Sequence, residues 1–155
     1  MYTRSRILVV LLLLTTLPHT AVAGDGCSQT FTDVVERHVA AVKGRDLESY
    51  MQTLAPRDEH LMILPNGARL RSKSAIESMH KEWFMDATWK FNTREVRRDA
   101  REHWGLVVYE VSVDRPNKPG NPFLLSMLFA PESDGCWYLQ HLSLIHISEP
   151  TRHRR

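Results

Sequence analysis

Apolar residues in the first half of the chain recur every three or four positions, which is the spacing of an amphipathic helix. The first such stripe contains Phe31, Val34, Val35, His38, Val39 and Val42. Thr30 or Thr32 can cap its start, and Gly44 ends it. The pattern therefore predicts a helix over residues 31–43 with one face buried.

Two further helices follow. Asp46 can cap a short helix that ends at Ala55-Pro56, and its apolar face contains Leu47, Tyr50, Met51 and Leu54. Ser74 and Glu77 have the spacing of a capping box, which predicts the start of a third helix. The apolar face of this helix contains Ile76, Met79, Trp83 and Phe84.

The period changes from helix to strand after residue 87. Trp89, Phe91 and Thr93 alternate with polar residues, and three more strands are predicted at 103–114, 123–130 and from 136 to at least 141. A small hairpin, residues 60–64 and 69–71, precedes the third helix around the turn Pro65-Asn66-Gly67. The strand at 123–129 is apolar on both faces, so both faces must be covered.

This order of elements, from Phe31 to His141, resembles the nuclear transport factor 2-like fold, also called SnoaL-like. The Gly44-Arg45-Asp46 corner, followed by Leu47 and Tyr50, carries the resemblance most strongly. It implies an α+β domain in which N-terminal helices pack in a strongly curved antiparallel sheet, a cone-shaped barrel with an internal cavity. It also implies a homodimer, in which the outer face of the apolar strand packs on a second subunit.

The first 23 residues have the pattern of a secretory signal peptide. Arg4 and Arg6 precede the apolar run 7–17, and Ala21-Val22-Ala23 offers a cleavage site before Gly24. A membrane anchor is disfavoured because this run is much shorter than the roughly 20 residues that span a bilayer. We expect a secreted or periplasmic protein with no membrane attachment after cleavage.

The last residues do not resemble a natural domain end. Residues 142–152 resemble the translation of a sequencing adapter, so we predict that the domain occupies residues 24–141 and that 142–155 are non-native. The alternative is a natural basic tail that partly forms a strand.

Removing both ends changes the charge. The chain has 20 basic and 18 acidic residues, of which five basic and one acidic lie in the two ends, leaving 15 and 17. The arginines of residues 94–101 are interrupted by acidic residues and form no clustered basic face. Nucleic acid is therefore not an expected partner.

Cys27 and Cys136 are the chain's two cysteines. Export to an oxidising compartment predicts a disulfide between them. Two free thiols or one catalytic cysteine are the alternatives, and no sequence context supports a nucleophile.

The enzymes that the resemblance brings to mind, such as ketosteroid isomerase, scytalone dehydratase and the polyketide cyclases, place polar groups inside an apolar cone. Burial there shifts pKa values toward neutrality, as acid–base catalysis requires. His141 lies two residues after Leu139 and four after Trp137, so it faces inward if they do. Tyr109 lies on the more apolar face of its strand, and Tyr50 on the apolar face of the second helix.

His141, Tyr109 and Tyr50 are thus the catalytic candidates, although each can equally be a core or boundary residue, as can His38 and His80. Glu110 is expected to face outward. Residues 61–64 supply no carboxylate where the isomerase has its own, which argues against isomerase chemistry. Neither a metal site nor a cofactor is expected, because no histidine pair has metal-ligand spacing and no glycine-rich phosphate loop is present.

An apolar pocket would be lined by aromatic and thioether side chains. The candidates for ligand binding are Met79, Trp83, Phe84, Trp89, Phe91 and Met127, with plain core packing as the alternative. Two functions follow: a dimeric module that binds a small apolar molecule or a protein, or a small acid–base enzyme of isomerase, cyclase or dehydratase type acting on an apolar or polyketide-like substrate.

Overall fold

The computed structural model describes residues 27–146. The predicted signal peptide and most of the predicted tail lie outside these residues. Within residues 27–146, no helix has both the length and the apolar character needed to cross a membrane.

The three predicted helices are present, and each begins at a side-chain cap. Helix α1 spans Phe31–Gly44, α2 spans Leu47–Gln52 and α3 spans Lys73–Met85. Thr30 and Asp33 form a capping box at α1. The expected cap of α3 at Ser74 is wrong: Ser72 accepts the hydrogen bond from Ala75 N, because the preceding strand runs directly into the helix.

Six strands form one sheet in the order β2-β1-β6-β5-β4-β3. The strands are β1 Glu59–Ile63, β2 Arg69–Ser72, β3 Lys90–Ala100, β4 Gly105–Asp114, β5 Phe123–Pro131 and β6 Trp137–His146. All neighbours are antiparallel except β1 and β6, which pair in parallel. The expected α+β fold is confirmed, but the sheet is mixed and it does not close into a barrel.

The helices pack on the inner face of the sheet. Strands β4 and β5 contribute alternate buried residues to this face: Val107, Tyr109, Val111, Phe123, Leu125, Met127 and Phe129. At the start of β4, a Cβ on Gly105 would lie 2.5 Å from a ring carbon of Phe31. Glycine at this position therefore lets the first residue of α1 approach the sheet backbone.

Strand β6 continues past His141 into the segment that we predict to be adapter-derived. Leu142 pairs with Met127 of β5 and with Met62 of β1, and its side chain is buried. Strand pairing uses backbone groups, and apolar side chains at alternate positions are enough to seat such a strand on a core. The boundary after His141 stays a prediction about the gene.

A disulfide joins Cys27, just before α1, to Cys136, just before β6. The two residues are 109 positions apart, so the bond closes nearly the whole domain into one loop.

Closing a loop of this length should stabilise the domain by about 4 to 5 kcal/mol, since it restricts the unfolded chain. We expect Cys27→Ser with Cys136→Ser to lower the free energy of unfolding in urea by this amount. Dithiothreitol should have the same effect on the wild type and none on the double variant. A loss below about 1 kcal/mol would contradict the prediction.

Candidate functional site

The inner face of the sheet and the three helices enclose a cavity of about 270 Å³. Its apolar lining comes from Val39, Val42, Met62, Leu64, Pro65, Met79, Trp83, Phe91, Val113, Phe123, Leu125, Leu142 and Leu144. Its polar side chains are His38 of α1, Tyr50 of α2 and His80 of α3. The cavity is therefore apolar apart from one residue of each helix.

Tyr50 is fully buried, and its hydroxyl has no hydrogen-bond partner among residues 27–146. Burial raises the pKa of the phenol well above its usual range. The group is thus a neutral hydroxyl at any physiological pH. A buried polar atom without a partner costs about 1 to 3 kcal/mol and calls for an explanation.

His38 is held in one tautomer by Thr53. The Thr53 hydroxyl donates its single hydrogen to the backbone oxygen of Tyr50 at 2.6 Å. It must therefore accept from His38 Nδ1, which lies 2.8 Å away. Neutral His38 consequently carries its proton on Nδ1, and Nε2 has a free lone pair.

His80 has the same tautomer for a different reason. Its Nδ1 lies 2.9 Å from the backbone oxygen of Ile76, one helical turn earlier. A carbonyl oxygen can only accept, so Nδ1 carries the proton and Nε2 again has a free lone pair.

The three rings stack on one another. The Tyr50 ring centroid is 3.9 Å from that of His80 and 4.7 Å from that of His38. Burial lowers the pKa of His38 to about 3, with a smaller contribution from His80, and burial lowers the pKa of His80 to about 4. Both imidazoles are therefore neutral at pH 7.

Of the three catalytic candidates, only Tyr50 lies in the cavity. Tyr109 is buried on the inner face, but its hydroxyl donates to Glu95 at 3.2 Å and lies 3.4 Å from Arg98 of β3, away from the cavity. Burial raises its pKa. The structure therefore does not bring Tyr109 and Tyr50 together.

His141 faces the opposite side of the sheet, because β6 has a bulge. Leu128 pairs with His141 whereas Phe129 pairs with Leu139, so Gln140 is the extra residue. The bulge reverses the alternation, and His141 shares a face with the exposed Leu128. Its expected position beside Leu139 and Trp137 is therefore not observed.

The six candidates for ligand binding divide into two groups. Met79, Trp83 and Phe91 line the cavity. Phe84, Trp89 and Met127 are buried in the surrounding core and do not line it.

Sequence reasoning gave His38 and His80 no role beyond the core or its boundary. Helical periodicity placed His38 on the buried stripe of α1. His80 follows Ile76 by one turn, and it is buried with it. The available signal was a pair of histidines on two apolar helix faces in a fold that encloses a cavity.

Within the described part of the chain, no group of three or more histidine, cysteine, aspartate or glutamate side chains is placed to hold a metal ion.

Comparison with known proteins gives the fold. No protein-family profile and no curated protein sequence matches the chain. Solved structures do match it. A nuclear transport factor 2-like protein of unknown function from Pseudomonas putida has a TM-score of 0.64 and 14% identity, with 79% of this chain and 88% of that chain covered. The chain has the nuclear transport factor 2-like fold.

Two further structures with this architecture have different names. A proposed calcium/calmodulin-dependent protein kinase type II association domain from Thiobacillus denitrificans has a TM-score of 0.67 and 17% identity, covering 77% of this chain and 97% of that one. A proposed ketosteroid isomerase from Shewanella frigidimarina has a TM-score of 0.62 and 15% identity, covering 72% and 91%. At such identities the nuclear transport factor 2-like fold is shared, and function must be argued from the site.

The buried histidines predict a loss of stability in mild acid. The unfolded chain binds protons at both imidazoles below about pH 6.5, whereas the folded protein does so only near pH 3 to 4. The free energy of unfolding should therefore fall as the pH falls from 7.5 to 5.0, by about 2 kcal/mol for each histidine.

His80→Gln should remove about half of this histidine-dependent loss, measured by urea unfolding at the two pH values with the disulfide intact. His103→Gln, which changes an exposed histidine in the turn between β3 and β4, is the matched control. An unchanged pH dependence in His80→Gln would show the prediction to be wrong.

Proposed function

We propose that the protein binds a small apolar molecule in the cavity between its helices and its sheet. The observation that carries the proposal is the cavity itself, about 270 Å³ with an almost wholly apolar lining. A dry apolar cavity of about 150 Å³ is already large enough for benzene. A ligand here would bury its surface against aromatic, aliphatic and thioether side chains, at about 25 cal/mol for each Å² of apolar area removed from water.

The proposal includes export and dimerisation. The disulfide between Cys27 and Cys136 is compatible with an extracellular or periplasmic location, since such bonds persist in oxidising compartments. On the outer face of the sheet, Leu106 of β4 pairs with Leu128 of β5, and Leu124 lies further along β5. These leucines are half-buried or exposed and would be covered by a second copy of the chain.

An acid–base enzyme is the second candidate function. The three titratable rings at the cavity favour it, because two neutral imidazoles and a phenol can accept and donate protons. We rank it second because the pKa values of about 3 and 4 lie far below neutrality, which makes both imidazoles weak bases. Turnover of a recovered ligand by the wild type, lost in His80→Gln, would reverse this order.

Filling the cavity should abolish binding. Val39 of α1 lines the cavity, and its neighbour Ala40 is exposed. We expect Val39→Trp to lose co-purified ligand in native mass spectrometry and to lose thermal stabilisation by added apolar compounds. Ala40→Trp, the matched control, should keep both. Identical behaviour of the wild type and both variants, with no ligand bound, would contradict the proposal.

The dimer is tested separately at the outer face. Leu128 of β5 is 37% exposed in the single chain. Leu128→Arg would place a charge in the proposed interface, and sedimentation should change from dimer to monomer. Val96→Arg, at an exposed position on β3, should leave the dimer unchanged. A monomeric wild type at micromolar concentration would contradict this part of the proposal.

A further inference from the structure

The polar end of the cavity contains hydrogen-bonding atoms that the surrounding protein does not satisfy. The Tyr50 hydroxyl has no partner among the described residues. The Nδ1 atoms of His38 and His80 are taken up by Thr53 and by the Ile76 carbonyl. No partner of either Nε2 atom occurs in residues 27–146.

These atoms have a defined chemistry. The Tyr50 hydroxyl can donate one hydrogen bond and can also accept. Each Nε2 can only accept, because both tautomers are fixed with the proton on Nδ1. A group that satisfies this end of the cavity must therefore accept from the phenol and donate to an imidazole. A hydroxyl does both, an ether oxygen can only accept, and a methyl group does neither.

Charge excludes the ionic alternatives. No lysine, arginine, aspartate or glutamate is among the described residues that line the cavity. A carboxylate or phosphate would be buried without a cation, and an ammonium group without an anion. Because both imidazoles are neutral, they supply no compensating charge. The ligand's polar group is therefore neutral.

We propose that the cavity selects neutral, apolar molecules that have a hydroxyl group, either alcohols or phenols, and that this hydroxyl binds at Tyr50, His38 and His80. The inference rests on the proposed function, since it concerns the same cavity. The volume suits a substituted single ring or a fused pair of rings. The three polar residues come from α1, α2 and α3, so the helices recognise the hydroxyl while the sheet contacts the apolar body.

The experiment compares three probes of nearly equal size by calorimetry. They are 4-tert-butylphenol, 4-tert-butylanisole and 4-tert-butyltoluene, which place a hydroxyl, an ether or a methyl group at the same position. We expect the wild type to bind the phenol at least as tightly as the toluene, although the phenol is better solvated by water. Tyr50→Phe should weaken phenol binding about fivefold to tenfold and leave toluene binding within twofold.

Two variants complete the test. His80→Phe keeps an aromatic ring in the stack but removes an acceptor, so it should also weaken binding of the phenol and not that of the toluene. Tyr138→Phe is the matched control, because the Tyr138 hydroxyl donates to Asp134 at the surface. Circular dichroism and thermal unfolding confirm that each variant is folded.

The outcomes separate this inference from the proposed function. If all three probes bind, with the toluene tightest and no effect of Tyr50→Phe, the selection for a hydroxyl is wrong while the apolar pocket stands. If no probe binds the wild type and Val39→Trp changes nothing, the proposed function fails, and the inference fails with it.

Discussion

The geometry of the site depends on one arginine at the corner between α1 and α2. Arg45 adopts the left-handed backbone conformation, with φ of 56°, and its N–H donates to Val42. Its guanidinium donates to the backbone oxygens of Asp86, Ala87 and Trp89, and it lies 4.1 Å from the centre of the Trp89 ring. One side chain thus fixes the corner against the end of α3 and the start of β3. The left-handed conformation costs about 1 kcal/mol, which these contacts offset.

This convergence of three helices explains why polar rings occur inside an apolar core. His38, Tyr50 and His80 each lie on the inner face of a different helix, and each stacks on at least one other ring of the three. Thr53 and the Ile76 carbonyl satisfy one nitrogen of each imidazole. Plain packing would favour phenylalanine at residue 50, because the buried hydroxyl lowers stability while it has no partner. Retention of the hydroxyl is better explained by a ligand than by the core.

The sequence predicted the elements well because period and capping are local properties. The stripe of α1, the alternation in β3 and the turn at residues 65–67 all led to the observed structure. The site was harder, because periodicity gives the face of a residue and not its depth. Met79 and Phe84 share the apolar face of α3, yet only Met79 lines the cavity. The extra residue at Gln140 reversed the predicted direction of His141, since a bulge leaves the alternating pattern intact on each side.

The predicted boundary after His141 divides the cavity into two parts. The polar end comes from α1, α2 and α3, all of which precede this boundary. Leu142 and Leu144 of β6 contribute to the apolar wall and follow it. If the gene encodes other residues there, the strand can keep its pairing with β5 while the shape of that wall changes. Recognition of a ligand's polar group is thus a property of the helices, and its discrimination by size depends on the true sequence of the last strand.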